Sequence, residues 1–182
     1  TAELAREFAH LDATQIPWVH SYFTWIMAGN LRADYSLQVD SLTLVMLGVV
    51  TGVGWLIHLY STGYMAGDAG YRRFFSYLNL FMFFMLTLVL AANYVLMFVG
   101  WEGVGLSSYL LIGFWFLKKT ATDAGNKAFW VNRIGDFGFL LGLFVLFRQF
   151  GSLDFASVFS GAAAMPVESA GAGALTAAAL LL

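Results

Sequence analysis

Cysteine is missing altogether from the 182 residues. Disulfides, thiolate metal sites and iron–sulfur ligation are thereby excluded from this stretch, and any redox centre coupled to it belongs to a partner chain. Charge is nearly as scarce. The 9 Lys and Arg with the 11 Asp and Glu make up 11 % of the residues, less than half the share of an ordinary soluble domain. A net charge of −2 and a pI near 5.8 leave no basic footprint for nucleic acid. A secretory signal is missing too, because Glu3, Arg6, Glu7, His10 and Asp12 break up the N-terminal residues, which read as a short surface helix. What fills the sequence instead is 60 % hydrophobic and 18 % aromatic residues, at a mean hydropathy of +0.75. A water-soluble fold of 20.0 kDa has too much wet surface for so few charges to cover. The composition is that of a membrane protein.

Four runs reach the roughly 20 apolar residues that a transmembrane helix needs: Leu42 to Tyr60, Phe74 to Ala92, Tyr94 to Leu117 and Ala128 to Phe147. A fifth begins near Ala170 and is cut off, which with Thr1 in place of Met predicts a fragment of a longer chain. Only Asn93 separates the second run from the third, so these two are expected to form a tight antiparallel pair. Before the first span, Trp18 to Ile26 and Leu31 to Val39 flank Ala28, Gly29 and Asn30, and Tyr35, Leu37 and Val39 alternate with Ser36 and Gln38. That alternation around a Gly-Asn turn predicts an interfacial β-hairpin. The expected architecture is all-α, a polytopic helix bundle over residues 40–182 packed as two antiparallel pairs plus the truncated span. Residues 1–39 supply the surface helix and the hairpin.

Lys and Arg fix the expected orientation. Arg72 and Arg73 lie in the Ser61 to Arg73 loop and three lysines in the Lys118 to Lys127 loop, so both loops are expected on the cytoplasmic side. The hairpin, the Asn93 turn and the Arg148 to Ser169 loop, with Asp154 and Glu168, fall on the other, making the hairpin extracytoplasmic. Trp55, Tyr60, Tyr64, Tyr71, Tyr77, Tyr94, Trp115 and Trp130, mostly near span ends, form the aromatic belt expected at the interfaces.

Polar residues inside the spans carry the functional information, because an intramembrane ionisable group is expensive. Glu102 stands eight residues into the third span, roughly 12 Å deep in a ~30 Å core. A carboxyl there suits reversible protonation; the structural alternative is a buried acid that hydrogen-bonds a neighbouring helix. Asp136 is eight residues into the fourth span, at a similar depth, with Arg133 at i−3 and Asn132 at i−4 on the same helix face. An ion pair between Arg133 and Asp136 serves either a static role or a proton path. Lys127 marks the start of that span and His58 the cytoplasmic end of the first. Each reads as an interfacial side chain or, for His58, as a gate for proton entry, since imidazoles titrate near neutral pH. Gly100, Gly103 and Gly105 follow no strand and make no phosphate-binding loop. Glu102, Gly105, Tyr109 and Gly113 share one helix face, and Gly48/Gly52 and Gly138/Gly142 are small-residue pairs that permit close helix packing.

The run Gly100-Trp101-Glu102-Gly103-Val104-Gly105-Leu106-Ser107-Ser108-Tyr109 resembles the fifth helix of the NADH-quinone oxidoreductase subunit L family, also called chain 5. Asn132-Arg133-Ile134-Gly135-Asp136 resembles the family's sixth helix. Asp40-Ser41-Leu42-Thr43 with Thr51-Gly52-Val53-Gly54-Trp55-Leu56-Ile57-His58 resembles its third. The resemblance implies half of an antiporter-like bundle at the distal end of the membrane arm of respiratory complex I, in a bacterial-type inner membrane. Carried over, Glu102 matches the essential glutamate, and Arg133 and Asp136 match the charged pair. It also implies that FMN, iron–sulfur clusters and quinone sit on partner subunits, with no cofactor on this chain and another antiporter-like subunit beside it. The chain would then be part of a proton-translocating NADH:quinone oxidoreductase without redox chemistry of its own, Glu102 pairing with a lysine beyond Leu182. The alternative is a subunit of a Na⁺/H⁺ antiporter without redox partners.

Overall fold

The computed structural model describes residues 17–165 and 170–182. The expected N-terminal surface helix and Glu168 lie outside these residues. Strands β1 (Trp18–Ala28) and β2 (Leu31–Val39) pair antiparallel about the two-residue turn Gly29-Asn30. Gly29 has φ +59°, a left-handed conformation that glycine adopts without a Cβ clash. β1 has 11 residues against nine in β2, and the surplus appears as irregularities between Ser21 and Phe23 and between Thr24 and Ile26.

Among the described residues six helices follow: α1 (Ser41–Tyr64), α2 (Tyr71–Leu90), α3 (Tyr94–Ile112), α4 (Lys119–Phe150), α5 (Phe155–Ala163) and α6 (Ala170–Leu181). The first four are long and apolar enough to cross a membrane. Asp40 starts α1 by accepting the Thr43 amide at 2.7 Å, and that bond holds its carboxyl below the ordinary value of 3.8. Asn93 does the same for α3, its side chain accepting the Leu96 amide at 2.8 Å.

All four spans differ in their bounds from the sequence reading: α2 runs Tyr71–Leu90 rather than Phe74 to Ala92, so that Arg72 and Arg73 lie in its first turn rather than in the loop, and α4 ends at Phe150 rather than Phe147. α1 runs on to Tyr64, the polar residues beyond Tyr60 being accommodated in the helix: the Thr62 hydroxyl donates to the Leu59 carbonyl at 2.7 Å and Ser61 is buried. α3 stops at Ile112 rather than Leu117, capped at Gly113; Phe114 then turns inward onto Phe74 at a ring separation of 5.4 Å. α4 begins at Lys119 rather than Ala128, so the Lys118 to Lys127 stretch is helix rather than loop. Its lysines depress the hydropathy there without breaking the helix, and Gly125 seats that first part against Tyr109 and Gly113. At 32 residues α4 is about 48 Å long, more than a ~30 Å core needs, so its polar first turns extend past the hydrocarbon. α5 is also new, an amphipathic helix where the sequence suggests a loop, with Val158 buried beside Leu146 and Leu153.

The helices form one row rather than two separate pairs. α1 packs chiefly on α2, α2 on α3, α3 on α4, and α6 along α4. The closest approach joins α2 and α3: a Cβ on Gly100 would stand 2.6 Å from the Leu88 backbone nitrogen, and one on Gly103 would strike the Phe84 ring. Gly138 and Gly142 pack on α6 as expected, near the carbonyls of Leu181 and Ala178, whereas no described residue lies within 4 Å of where a side chain at Gly48 or Gly52 would begin.

At one end of the row the chain is stitched across itself. The Ala92 amide donates to the Ser36 carbonyl at 3.1 Å, the Tyr94 amide to the Leu153 carbonyl at 3.0 Å, and the Phe155 amide to the Ala92 carbonyl at 3.4 Å. The buried Asn93 amide group donates to the Asp34 carbonyl at 2.8 Å and to the Ser36 hydroxyl at 3.1 Å. Hairpin, Asn93 turn and the 151–154 segment therefore share one end, as the sequence suggests. The opposite end is held by side chains: Arg73 donates to the Phe114 carbonyl at 3.1 Å and lies over the Phe114 and Phe116 rings, while Asp68 accepts the Trp115 indole at 3.3 Å.

Candidate functional site

Eight residues into the 19 of α3, Glu102 stands near the middle of the helix. Residues 101 and 102 leave a helix about 100° apart, and each reaches α4. The Glu102 carboxylate meets the Arg133 guanidinium directly through Oε2 and Nη1. The Trp101 indole donates to Asp136 Oδ1 at 3.0 Å. Asp136 turns its other oxygen to Arg133, with Nη1 to Oδ2 at 3.7 Å. Arg133 thus stands between two carboxylates, with Phe129 beneath it at 4.7 Å from the ring centroid.

The environments are unequal. Asp136 is buried, its side chain 7 % exposed, whereas Glu102 and Arg133 are 23 % and 36 % exposed. The Trp101 ring stacks on Phe139 at 6.1 Å, and Phe139 belongs to the buried cluster with Leu143, Leu146 and Val158. The indole, itself about half exposed, rests on that cluster through Phe139 and orients the carboxylate it touches. One guanidinium facing two carboxylates can follow whichever of them is ionised. That is what the arrangement offers chemically: a group of charges that gains or loses one proton without leaving an acid unpaired.

Of the residues singled out in the sequence, Glu102, Arg133 and Asp136 come together. The nearer partner of Arg133 is Glu102 on the adjacent helix rather than Asp136 on its own. His58 and Lys127 stand apart from this group. The His58 ring donates through Nδ1 to the Gly54 carbonyl at 2.8 Å and tilts against Phe75 at 6.1 Å, on the face of α1 that meets α2. Lys127 is exposed on α4 and makes no ion pair among the described residues. Sequence reasoning does not reach Trp101; the available signal is an indole N–H inside an apolar span, a donor that needs an acceptor there. Nor does it reach the Gly100, Gly103 and Ser107 face against α2, though small residues at three- and four-residue steps mark it.

Fold and site together define a polytopic membrane protein whose helices hold a charged group at mid-depth. Residues 91–182 match the family described as NADH:quinone oxidoreductase/Mrp antiporter, TM, and residues 25–75 match NADH-Ubiquinone oxidoreductase (complex I), chain 5 N-terminus. The chain belongs to the NADH:quinone oxidoreductase/Mrp antiporter family. It is 54 % identical over 160 residues to NADH-quinone oxidoreductase subunit L of Mycobacterium tuberculosis, covering 88 % of this chain and 24 % of that protein. NADH-ubiquinone oxidoreductase chain 5 of Metridium senile is 52 % identical over 145 residues, 80 % of this chain and 24 % of its own length. The chain thus spans about a quarter of the length of these relatives. Among solved structures, the Mrp complex from Dietzia sp. DQ12-45-1b matches with a TM-score of 0.77 at 26 % identity, over 98 % of this chain and 18 % of that one.

Proposed function

We propose that this chain is part of an antiporter-like subunit in the membrane arm of an NADH:quinone oxidoreductase, where it moves protons across the bilayer. The observation that carries this reading is Arg133 held between Glu102 and Asp136 midway along two membrane-spanning helices. With both acids ionised the group carries one net negative charge, and taking up a proton brings it to zero. When Glu102 takes the proton, Arg133 turns to Asp136; when Glu102 releases it, Arg133 returns. Electron transfer on partner subunits, which carry the flavin, the iron–sulfur clusters and the quinone site, drives the exchange. This chain supplies no redox chemistry and binds no cofactor of its own. Its neighbour is another antiporter-like subunit, and its membrane is the inner membrane of a bacterium, with the 65–70 and 113–118 loops on the cytoplasmic side.

A second reading, cation/proton antiport without redox partners, is favoured by the likeness to the Mrp complex. Identities of 52 and 54 % to subunit L and chain 5, against 26 % there, support the first. Glu102→Gln in the full-length subunit tests the proton role, because it preserves size and hydrogen bonding and removes the titratable proton. The complex is expected to assemble, proton pumping to fall at least tenfold, and coupled NADH oxidation to fall with it, while Glu102→Asp retains part of the activity. Wild-type pumping by Glu102→Gln would make Glu102 a packing residue.

A further inference from the structure

An indole N–H inside an apolar span needs an acceptor, yet at any ordinary pH it neither takes up a proton nor carries a charge. That of Trp101 crosses from α3 to α4 and goes to Asp136 Oδ1 at 3.0 Å. The ring lies on Phe139, one turn further along α4, with an interplanar angle of 28°. Trp101 is thus fitted to the α4 turn that carries Asp136 at two points, the carboxylate and the phenyl ring. Arg133, although on the same helix as Asp136, stands 3.7 Å from the other carboxylate oxygen, beyond hydrogen-bonding distance, and makes its direct contact with Glu102.

The two acids are therefore served differently. Asp136, the more buried, has a neutral donor at hydrogen-bonding distance, whereas Glu102 has no partner besides Arg133 among the described residues. No other described charge stands at this level. α2 brings Phe81, Met85 and Leu88 to the Asp136 side, and neither α5 nor α6 contains a titratable residue. Along α3 the next titratable groups, Tyr94 and Tyr109, are about two turns from Glu102; along α4 the next cations are Lys127 and Arg148, six residues or more from the group. A single guanidinium cannot give its closest contact to both carboxylates, so the acid that already has a donor is the one that can yield it.

We infer that Trp101 is a positioning residue that decides which acid Arg133 serves: by donating to Asp136 it releases the guanidinium to Glu102. The inference deepens, and rests on, the proton-moving reading above. Trp101 itself takes no part in the proton exchange, which stays at Glu102; it acts through Asp136, by making the Glu102 contact the resting position of Arg133. Without the N–H, Asp136 has no donor but the guanidinium, and Arg133 moves toward it. Ionised Glu102 then loses its cation.

The test uses the full-length subunit in its membrane complex. Benzothienylalanine in place of Trp101 keeps the shape of the ring and its stacking on Phe139 but has sulfur where the indole has N–H; Trp101→Phe is the second variant, should the first not assemble. The readout is the infrared band of the protonated Glu102 carboxyl, assigned by its loss in Glu102→Gln and followed against pH, with the pH profile of NADH-driven pumping as a second measure of the same midpoint. Removing the N–H should displace that midpoint by about half a pH unit or more and lower pumping severalfold. In an Asp136→Asn background, where Arg133 has no second acid to serve, the same replacement should leave the midpoint of the band in place. An unmoved midpoint in the first case would reduce Trp101 to a packing residue, and an equal displacement in the Asp136→Asn background would mean that it does not act through Asp136; either overturns the proposal. An unmoved midpoint beside an inactive Glu102→Gln removes only the role of Trp101, whereas a displaced one beside a fully pumping Glu102→Gln removes only the proton role.

Discussion

Arg133 satisfies two acids from two helices, so its removal acts on both. Arg133→Ala leaves Glu102 and Asp136 facing each other at mid-depth without a cation, and the complex should assemble poorly. Removing Glu102 as well should restore part of what is lost. In a double-mutant cycle on thermal stability, Arg133→Ala and Glu102→Gln should be non-additive by about 0.5–3 kcal/mol; simple additivity would mean that the contact carries no energy. Asn93 is the comparable residue outside the site, capping α3 with its carbonyl while its amide group bonds β2. Asn93→Ala should destabilise by about 2 kcal/mol or more, from the lost cap and the acceptors left buried without a donor. Asp40→Ala, which loses chiefly a cap, should cost about 1 kcal/mol; melting temperatures of the purified complex give the ranking. Glu102, Arg133 and Asp136 were legible in the sequence because charge stands out against an apolar background. The i,i+3 ion pair of Arg133 with Asp136 was legible too, but the contact of Arg133 with Glu102 was not, since spacing along one helix carries no information about the neighbouring helix.

At the scale of elements, glycine decides how closely the helices approach. Gly103→Leu drives a side chain into the Phe84 ring and should separate α2 from α3, whereas Gly105→Ala meets only the Asn132 amide at 3.8 Å and should be tolerated. Crosslinking yield between cysteines placed on facing turns of α2 and α3 should fall in the first variant and hold in the second. The spans themselves were legible because about 20 apolar residues in a row admit few alternatives in lipid. The ends of α4 and the whole of α5 were not. A helix that leaves the membrane gains polar residues without gaining a stop signal, and Lys119 to Lys127 contains neither proline nor a run of glycine. α5 is amphipathic and only nine residues long, too short to register as a span.

For the whole molecule, the row of helices places Arg72, Arg73, Lys118 and Lys119 toward one end and the hairpin with the Asn93 turn at the other. A cysteine at Asp68 in the full-length protein should react with impermeant reagent only from the cytoplasmic side; reaction only from outside would invert the orientation. The two ends also differ in kind. Around Asn93 three segments are joined backbone to backbone, whereas the 65–70 and 113–118 loops touch through Arg73, Asp68, Trp115 and Phe114 side chains. Amide hydrogen exchange should accordingly be slowest at Ala92 and Tyr94 and faster at Phe114 and Lys118. Such a bundle behaves like a fan riveted at one edge: a small tilt about the Asn93 pivot hardly moves the hairpin, but its displacement grows with distance along the blades and is largest beside Tyr109 and the 113–118 loop.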